Sequence, residues 1–200
     1  EVTNPLKIDR SGYKTILTEK SFNDLIKSLV KKKSFVFDVE TTNKRPVWAR
    51  MVGISFSFEE GNACYLPLVH RYLGSPDQLE LKTVCEKLKP IFEDKRIKKC
   101  GHNIKYDLIV MANEGIALDG VGFDTMIASY LLNPSSRGHG LDALTMEYFG
   151  HKNLTYKEMT GTGSKEIGFD EVEVDRATEY AAEDSDMTWR LKGKLQPQLK

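Results

Sequence analysis

The sequence has 200 residues, 40% of them hydrophobic and 29% charged, enough for the core of one globular domain spanning 1–200 and too few for a second full domain. Twenty-nine basic residues against 29 acidic ones leave zero formal charge, which excludes a global positive field for gathering nucleic acid or an anionic membrane; any nucleic-acid contact has to be local. No apolar run approaches the ~20 residues needed to cross a bilayer, and Cys64, Cys85 and Cys100 are scattered and form no metal-binding pair, which points to reduced thiols in an intracellular protein. The start, Glu1 to Pro5, is no signal peptide, and its lack of Met is expected of a piece of a longer chain or a processed product.

In chain order, Tyr13 to Leu17 reads as a short strand, and Glu19 to Leu29 carries Phe22, Leu25, Ile26 and Leu29 at helical spacing before the lysines at 31–33 break the pattern. Ser34 to Thr41, Met51 to Phe58 and Ala63 to Val69 read as three strands at hairpin-like distances, an antiparallel meander. A helix over Asp77 to Phe92 presents Leu79, Val84, Leu88 and Ile91 on one side, and Ile97 to Cys100 follows as a strand. Helices are predicted over 104–114, 124–132, 141–149 and 171–192, with a short strand at 121–123 and a mobile loop from Gly161 to Gly168. The order of elements is that of an α/β fold, without repeats or a linker.

Three segments put carboxylates on inward faces. Side chains alternate along a strand, so Phe35, Phe37 and Val39 share one face and Asp38 and Glu40 the other. Two adjacent carboxylates at the end of an apolar strand either sit in solvent or are held together by a cation. On the helix that follows Cys100, the residues Ile104, Asp107, Leu108 and Met111 fall on one stripe, so Asp107 is on the apolar side as a structural acid or a ligand; spacing does not choose between them. In the last helix, Ala177, Tyr180, Ala181, Asp184, Met187 and Leu191 make one stripe, with Tyr180 and Asp184 one turn apart and small residues allowing close approach to a sheet. Glu183 and Asp186 lie off that stripe and are expected on the surface.

A carboxylate set with no histidine or thiol cluster suits two hard divalent cations, Mg2+ or Mn2+, in phosphodiester cleavage. In the expected assignment, Asp38 is shared between the two ions. Glu40 and Asp184 complete the ion site that activates water, Asp107 supports the second, and Tyr180 orients the nucleophile. A tyrosine with a pKa near 10 is a poor base at neutral pH, so deprotonation falls to the metal.

These segments resemble the motifs of the DnaQ-like, DEDD exonuclease superfamily, in the subclass with Tyr four residues before the final Asp, and most closely the proofreading domain of family A DNA polymerases of the bacterial DNA polymerase I type. The resemblance is carried by Phe37-Asp38-Val39-Glu40-Thr41-Thr42, Asn103-Ile104-Lys105-Tyr106-Asp107, Phe123-Asp124-Thr125-Met126 and Tyr180-Ala181-Ala182-Glu183-Asp184, together with Tyr65 to His70, Tyr72-Leu73 and Pro76-Asp77-Gln78. It implies a ribonuclease-H-like fold, a mixed five-stranded sheet combining the meander with parallel strands and flanked by helices. It further implies release of 5′-mononucleotides from a single-stranded DNA 3′ end during replication and repair. Asp38, Glu40, Asp107 and Asp184 match its metal ligands, Tyr180 its water-positioning tyrosine, and Thr41 and Asn103 its nucleic-acid side. Tyr156 stands where the family has an aromatic that packs on terminal bases, and Arg137 and His139 stand in a loop that contacts the DNA backbone, the arginine displaced by one position. The implied partner is a polymerase domain of the same longer chain, with the exonuclease domain itself monomeric and free of membrane, in the bacterial cytoplasm (nucleoid) or an organelle.

Two departures are visible. Val39 stands where Thr is common, but it faces away from the carboxylates. Asn43 to Trp48 replaces the family's apolar wedge, so Lys44 or Arg45 is expected to offer phosphate contacts instead. His70, His102 and His151 have no metal partner in sight. The alternatives are a ribonuclease D-like RNA 3′-exonuclease and an inactive DNA-binding spacer.

Overall fold

The computed structural model describes residues 5 and 7–199. Strand β1 (Lys14–Thr15) is followed by helix α1 (Glu19–Lys32), whose start is fixed by a capping box in which the Thr18 side chain accepts the Ser21 amide. Then come β2 (Ser34–Thr41), β3 (Met51–Glu59), β4 (Asn62–Pro67), α2 (Leu81–Phe92), β5 (Lys98–Gly101) and α3 (Lys105–Asn113). The chain continues through β6 (Val121–Asp124), α4 (Thr125–Leu132), α5 (Leu141–Phe149), α6 (Tyr156–Thr160) and α7 (Val174–Leu195). Among the described residues no helix is long and apolar enough to cross a membrane.

The sheet has the order β1-β4-β3-β2-β5-β6. Strands β2, β3 and β4 form the expected antiparallel meander, while β5 and β6 extend it in parallel and β1 pairs parallel to β4. It therefore has six strands rather than five, the addition being the two-residue edge strand β1 within the predicted 13–17 segment. The alternation of β2 divides the two layers. Phe35, Phe37 and Val39 enter the main core with Phe22, Leu25 and Leu29 of α1 and Val84, Leu88 and Phe92 of α2. There the Phe92 ring meets Phe37 edge-on at 4.9 Å and Phe35 at 5.7 Å, and burying each such side chain contributes about 1.5–3 kcal/mol.

Helix α7 covers the opposite face, packed on β2, β3 and β4. Ala177, Ala181 and Ala182 are fully buried, and the Ser185 hydroxyl lies 2.6 Å from that of Ser55, the β3 residue paired with Asp38. The small residues let the helix lie close, and this contact sets its height over β2. Glu183 and Asp186, expected on the surface, are instead completely buried. Arg10, His151 and the Leu154 amide surround Glu183, while Tyr13, the Gly61 amide and Arg190 satisfy Asp186. The chain wraps the far side of α7 as well as the sheet side.

Helix α2 begins at Leu81 rather than 77. The Gln78 side chain is bound to both the amide and the carbonyl of His70, at 2.8 Å each, which holds the preceding residues out of helical geometry. Within the predicted 161–168 loop, Gly163–Lys165 forms a single 3-10 turn.

Candidate active site

Asp38 and Glu40 rise from β2 toward α7, which contributes Tyr180 and Asp184. One oxygen from each of Asp38, Glu40 and Asp184 can be chosen so that all three lie within 4.8 Å of one another. The fourth predicted carboxylate, Asp107, stands in the first turn of α3 and lines the same cleft, but it lies outside this three-residue group. Its Oδ1 accepts the Val39 amide at 3.1 Å, which ties α3 to β2 between the two strand carboxylates. The cleft holds about 450 Å³.

The electrostatics are those of gathered carboxylates. Burial pushes Asp38 up to about 7. Glu40 is raised well above the ordinary carboxylate range by burial, then by the charges of Asp38, Asp184 and Asp107. Burial comes first for Asp107 and Asp184 too, with Asp38 the next cause in each. Glu40 Oε1 is buried with no hydrogen-bond partner among the described residues, and an unsatisfied buried carboxylate oxygen is costly unless a cation or a proton meets it. The donor set fits a hard divalent cation: all its ligand atoms are carboxylate oxygens, one is orphaned, and their mutual repulsion would be relieved by positive charge. Tyr180 is raised well above 10, by burial first and then by Asp184, Glu40 and Asp38, so its phenol keeps its proton and serves as a hydrogen-bond donor.

Beneath the site, the Tyr65 ring runs across β3 where Gly53 leaves room for it; a Cβ at Gly53 would stand 2.2 Å from the Tyr65 hydroxyl. That hydroxyl lies 2.8 Å from Nε2 of His70, whose Nδ1 is 2.9 Å from the Val172 carbonyl oxygen. His151 lies against Glu183. These two histidines are therefore structural.

Of the residues expected on the nucleic-acid side, Thr41, Asn103 and Tyr156 line the cleft, whereas Arg137 and His139 do not. Arg137 is exposed on the loop between α4 and α5. His139 is buried, bonded to Ser129 and stacked on Tyr130 at 3.6 Å between ring centroids, so it can bear on nucleic acid only by shaping that loop. Tyr156 lies nearly parallel to Phe169, with centroids 6.0 Å apart, and presents one edge of an aromatic wall. Lys44 Nζ is 5.7 Å from the centre of the Tyr156 ring, a cation–π contact across the cleft mouth. Arg45 instead lies over Trp48 and is not part of the cleft lining.

Some contributors were not foreseen, Leu141, Lys157 and Thr188 among them. Tyr106 also lines the cleft; its hydroxyl donates to the Asn43 carbonyl and lies 2.6 Å from the Thr41 hydroxyl, holding down the loop after β2. Helix α6 carries Tyr156 at its first position. Its signal was present in Thr155-Tyr156-Lys157-Glu158, a capping box whose reciprocal bonds form.

Residues 13–200 match the protein family described as 3′-5′ exonuclease. DNA polymerase I of Pseudomonas aeruginosa is 40% identical over 193 residues, which cover 96% of this chain and 21% of that protein. The chain thus spans about a fifth of the length of the curated relatives it matches. Brucella melitensis NrnC, also solved with bound Mg2+ and bound to pGG, superposes with a TM-score of 0.62 at 26% identity, covering 84% of this chain and 73% of its own. Escherichia coli RNase D, at 23% identity, shares the fold with a TM-score of 0.65 over 93% of this chain and 44% of its own.

Proposed function

The chain belongs to the 3′-5′ exonuclease family, and on that premise we propose that it removes 5′-mononucleotides from single-stranded DNA 3′ ends with the help of two divalent cations, Mg2+ or Mn2+. The observation that carries this reading is the convergence of Asp38, Glu40 and Asp184 on one side of a cleft, with Glu40 Oε1 left without a partner among the described residues. Cations bound there supply positive charge that lowers the pKa of water and offsets charge developing at the phosphoryl group. Asp38, Glu40 and Asp184 hold them, and Asp107 completes the set from α3. Tyr180, kept protonated, donates a hydrogen bond that orients the attacking water or a phosphoryl oxygen.

The cleft suits a substrate of any sequence. Tyr156 offers a face on which a terminal base can stack, an interaction worth about 1–3 kcal/mol that does not distinguish bases. Lys44 offers charge at the rim without reading an edge. In a polymerase I-type chain this activity proofreads newly made DNA in replication and repair, beside a polymerase domain of the same polypeptide. The 40% identity to a DNA polymerase I favours DNA over RNA as the substrate.

The test is a side-by-side comparison of initial rates on DNA and RNA oligonucleotides of one sequence, with Mg2+ or Mn2+ and with EDTA. Faster metal-dependent release of mononucleotides from DNA is expected. A preference for the RNA 3′ end would replace the proposed substrate with that of an RNA 3′-exonuclease.

A further inference from the structure

The Phe123-Asp124-Thr125-Met126 segment has no part in the cleft lining, yet its two polar side chains grip every residue of the turn that delivers α3. Asp124 and Gly101 are register partners on β6 and β5. From there, Asp124 Oδ1 accepts the Asn103 amide at 3.3 Å and Oδ2 accepts the Ile104 amide at 2.9 Å. The same carboxylate caps its own helix, α4, through the amides of Met126 at 2.8 Å and Ile127 at 3.1 Å. Thr125 holds the other half of the turn. Its hydroxyl donates to the Gly101 carbonyl at 3.4 Å and lies 2.8 Å from His102 Nδ1. Residues 101, 102, 103 and 104 are thereby each bonded to Asp124 or Thr125.

Helix α3 has no cap of its own: the residue before it is Ile104, which makes no side-chain capping bond. The amides at a helix start need an acceptor, and negative charge is favoured there. Asp124 supplies both from another element. Asn103 sits at φ 60, a left-handed conformation that Asn tolerates better than most side-chain-bearing residues. Three consequences for the cleft follow from this one turn, because Asn103, Tyr106 and Asp107 all lie within the first turn of α3 or just before it and all line the cleft.

We infer that Asp124 and Thr125 are positioning residues for the exonuclease reaction: they clamp the β5–α3 turn and so set where Asp107 and Asn103 stand relative to Asp38 and Glu40. The inference rests on the reading of the cleft as a cation-dependent nuclease site, and its test separates the two. Asp124→Asn keeps size and one acceptor oxygen, but its amide nitrogen cannot accept, so the caps of α3 and α4 cannot both survive. Thr125→Val removes the hydroxyl at similar volume, and Thr125→Ser restores it.

The experiment measures, for each variant, amide hydrogen exchange along 101–108, Mn2+ binding by calorimetry, and kcat and KM on a single-stranded DNA oligonucleotide. Groups that orient metal ligands typically change affinity or activity by about 10–100-fold when removed. In Asp124→Asn, kcat and Mn2+ affinity should fall by that order, with KM within about threefold; the oxygen that stays in the Oδ1 place keeps Asn103, Met126 and Ile127, so the amide of Ile104, bound by Oδ2, should exchange about tenfold faster or more while those of β2 do not. Thr125→Val should move the same readouts less, and Thr125→Ser should return them toward the parent. Parent-like exchange at 104 in Asp124→Asn, or equal behaviour of Thr125→Val and Thr125→Ser, overturns the clamp. If Asp124→Asn does not fold, the Thr125 pair decides. If the parent digests no DNA, the exonuclease reading fails by itself, and exchange with Mn2+ binding still decides the clamp.

Discussion

Replacing Asp38 with Asn should stabilise the protein in EDTA while abolishing its response to divalent cations. Burial raises Asp38 to about 7 from an ordinary value near 3.8, so the folded state binds this proton more tightly than the unfolded chain does. The resulting stability is fully present below the unfolded pKa and is lost as pH rises through about 7. At 1.36 kcal/mol per pH unit, the roughly three-unit difference amounts to about 4 kcal/mol at pH 8, a ceiling because Asp38 is only partly buried. Asp38→Asn removes that term, and since 1 kcal/mol moves the midpoint of a chain this size by about 2–4 °C, the gain in EDTA at pH 8 should be at most roughly 8–16 °C. The gain should shrink by pH 5, where the parent's Asp38 is protonated. His102, pulled down to about 4 by burial, works with the opposite sign between about 4 and 6.5, but it is common to both proteins and cancels in the comparison. Thermal unfolding by circular dichroism at pH 5 and 8, with EDTA or Mn2+, is the assay. A midpoint in EDTA at pH 8 that is unchanged or lower in Asp38→Asn would refute the claim that these carboxylates are gathered at a cost which a cation relieves.

Glu183→Gln should cost about 1–2 kcal/mol in urea unfolding, because half-exposed Arg10 loses its buried counter-charge and one of the groups bonded to Glu183, the His151 ring or the Leu154 amide, loses an acceptor; a change within about 0.5 kcal/mol would mean that this network is not stabilising. Lys44→Leu should make the salt dependence of oligonucleotide KM shallower by about 0.7 in log–log slope, the signature of one lost phosphate contact on a single strand; an unchanged slope between 50 and 200 mM salt would leave Lys44 with Tyr156 alone. Tyr156→Ala should weaken oligonucleotide binding by about 1–3 kcal/mol, with Tyr156→Phe near the parent, as read by fluorescence anisotropy in Ca2+. Equal affinities for all three proteins would remove stacking from the account.

Local periodicity carried the site a long way. Period two on β2 put Asp38 and Glu40 on one face, and the four-residue step on α7 aligned Tyr180 with Asp184; both arrangements are found. Periodicity failed where distant segments decide the environment. Glu183 and Asp186 lie off the stripe of α7 and are nonetheless buried, because Arg10, Tyr13 and the Gly61 amide close over them from far along the chain. Asp107 was legible as inward-facing, but its bond to the Val39 amide, which keeps it beside the three converging carboxylates rather than among them, depends on a contact across 68 positions. The start of α2 was lost to Gln78, whose amide side chain bridges His70 in a way no helical pattern announces. The clamp from Asp124 was hidden for the same reason: an Asp before a helix reads as that helix's cap, and nothing in the sequence says that it caps a second one.

The 3′-5′ polarity and metal dependence of the reaction are read by digestion of a 5′-labelled single-stranded DNA oligonucleotide, followed on a denaturing gel with the released products identified by mass spectrometry. With Mg2+ or Mn2+ the expected result is a ladder shortening stepwise from the 3′ end and 5′-mononucleotides as product, both abolished by EDTA and by Asp38→Asn. Internal cuts, 3′-mononucleotides, or undiminished digestion by folded Asp38→Asn would contradict it.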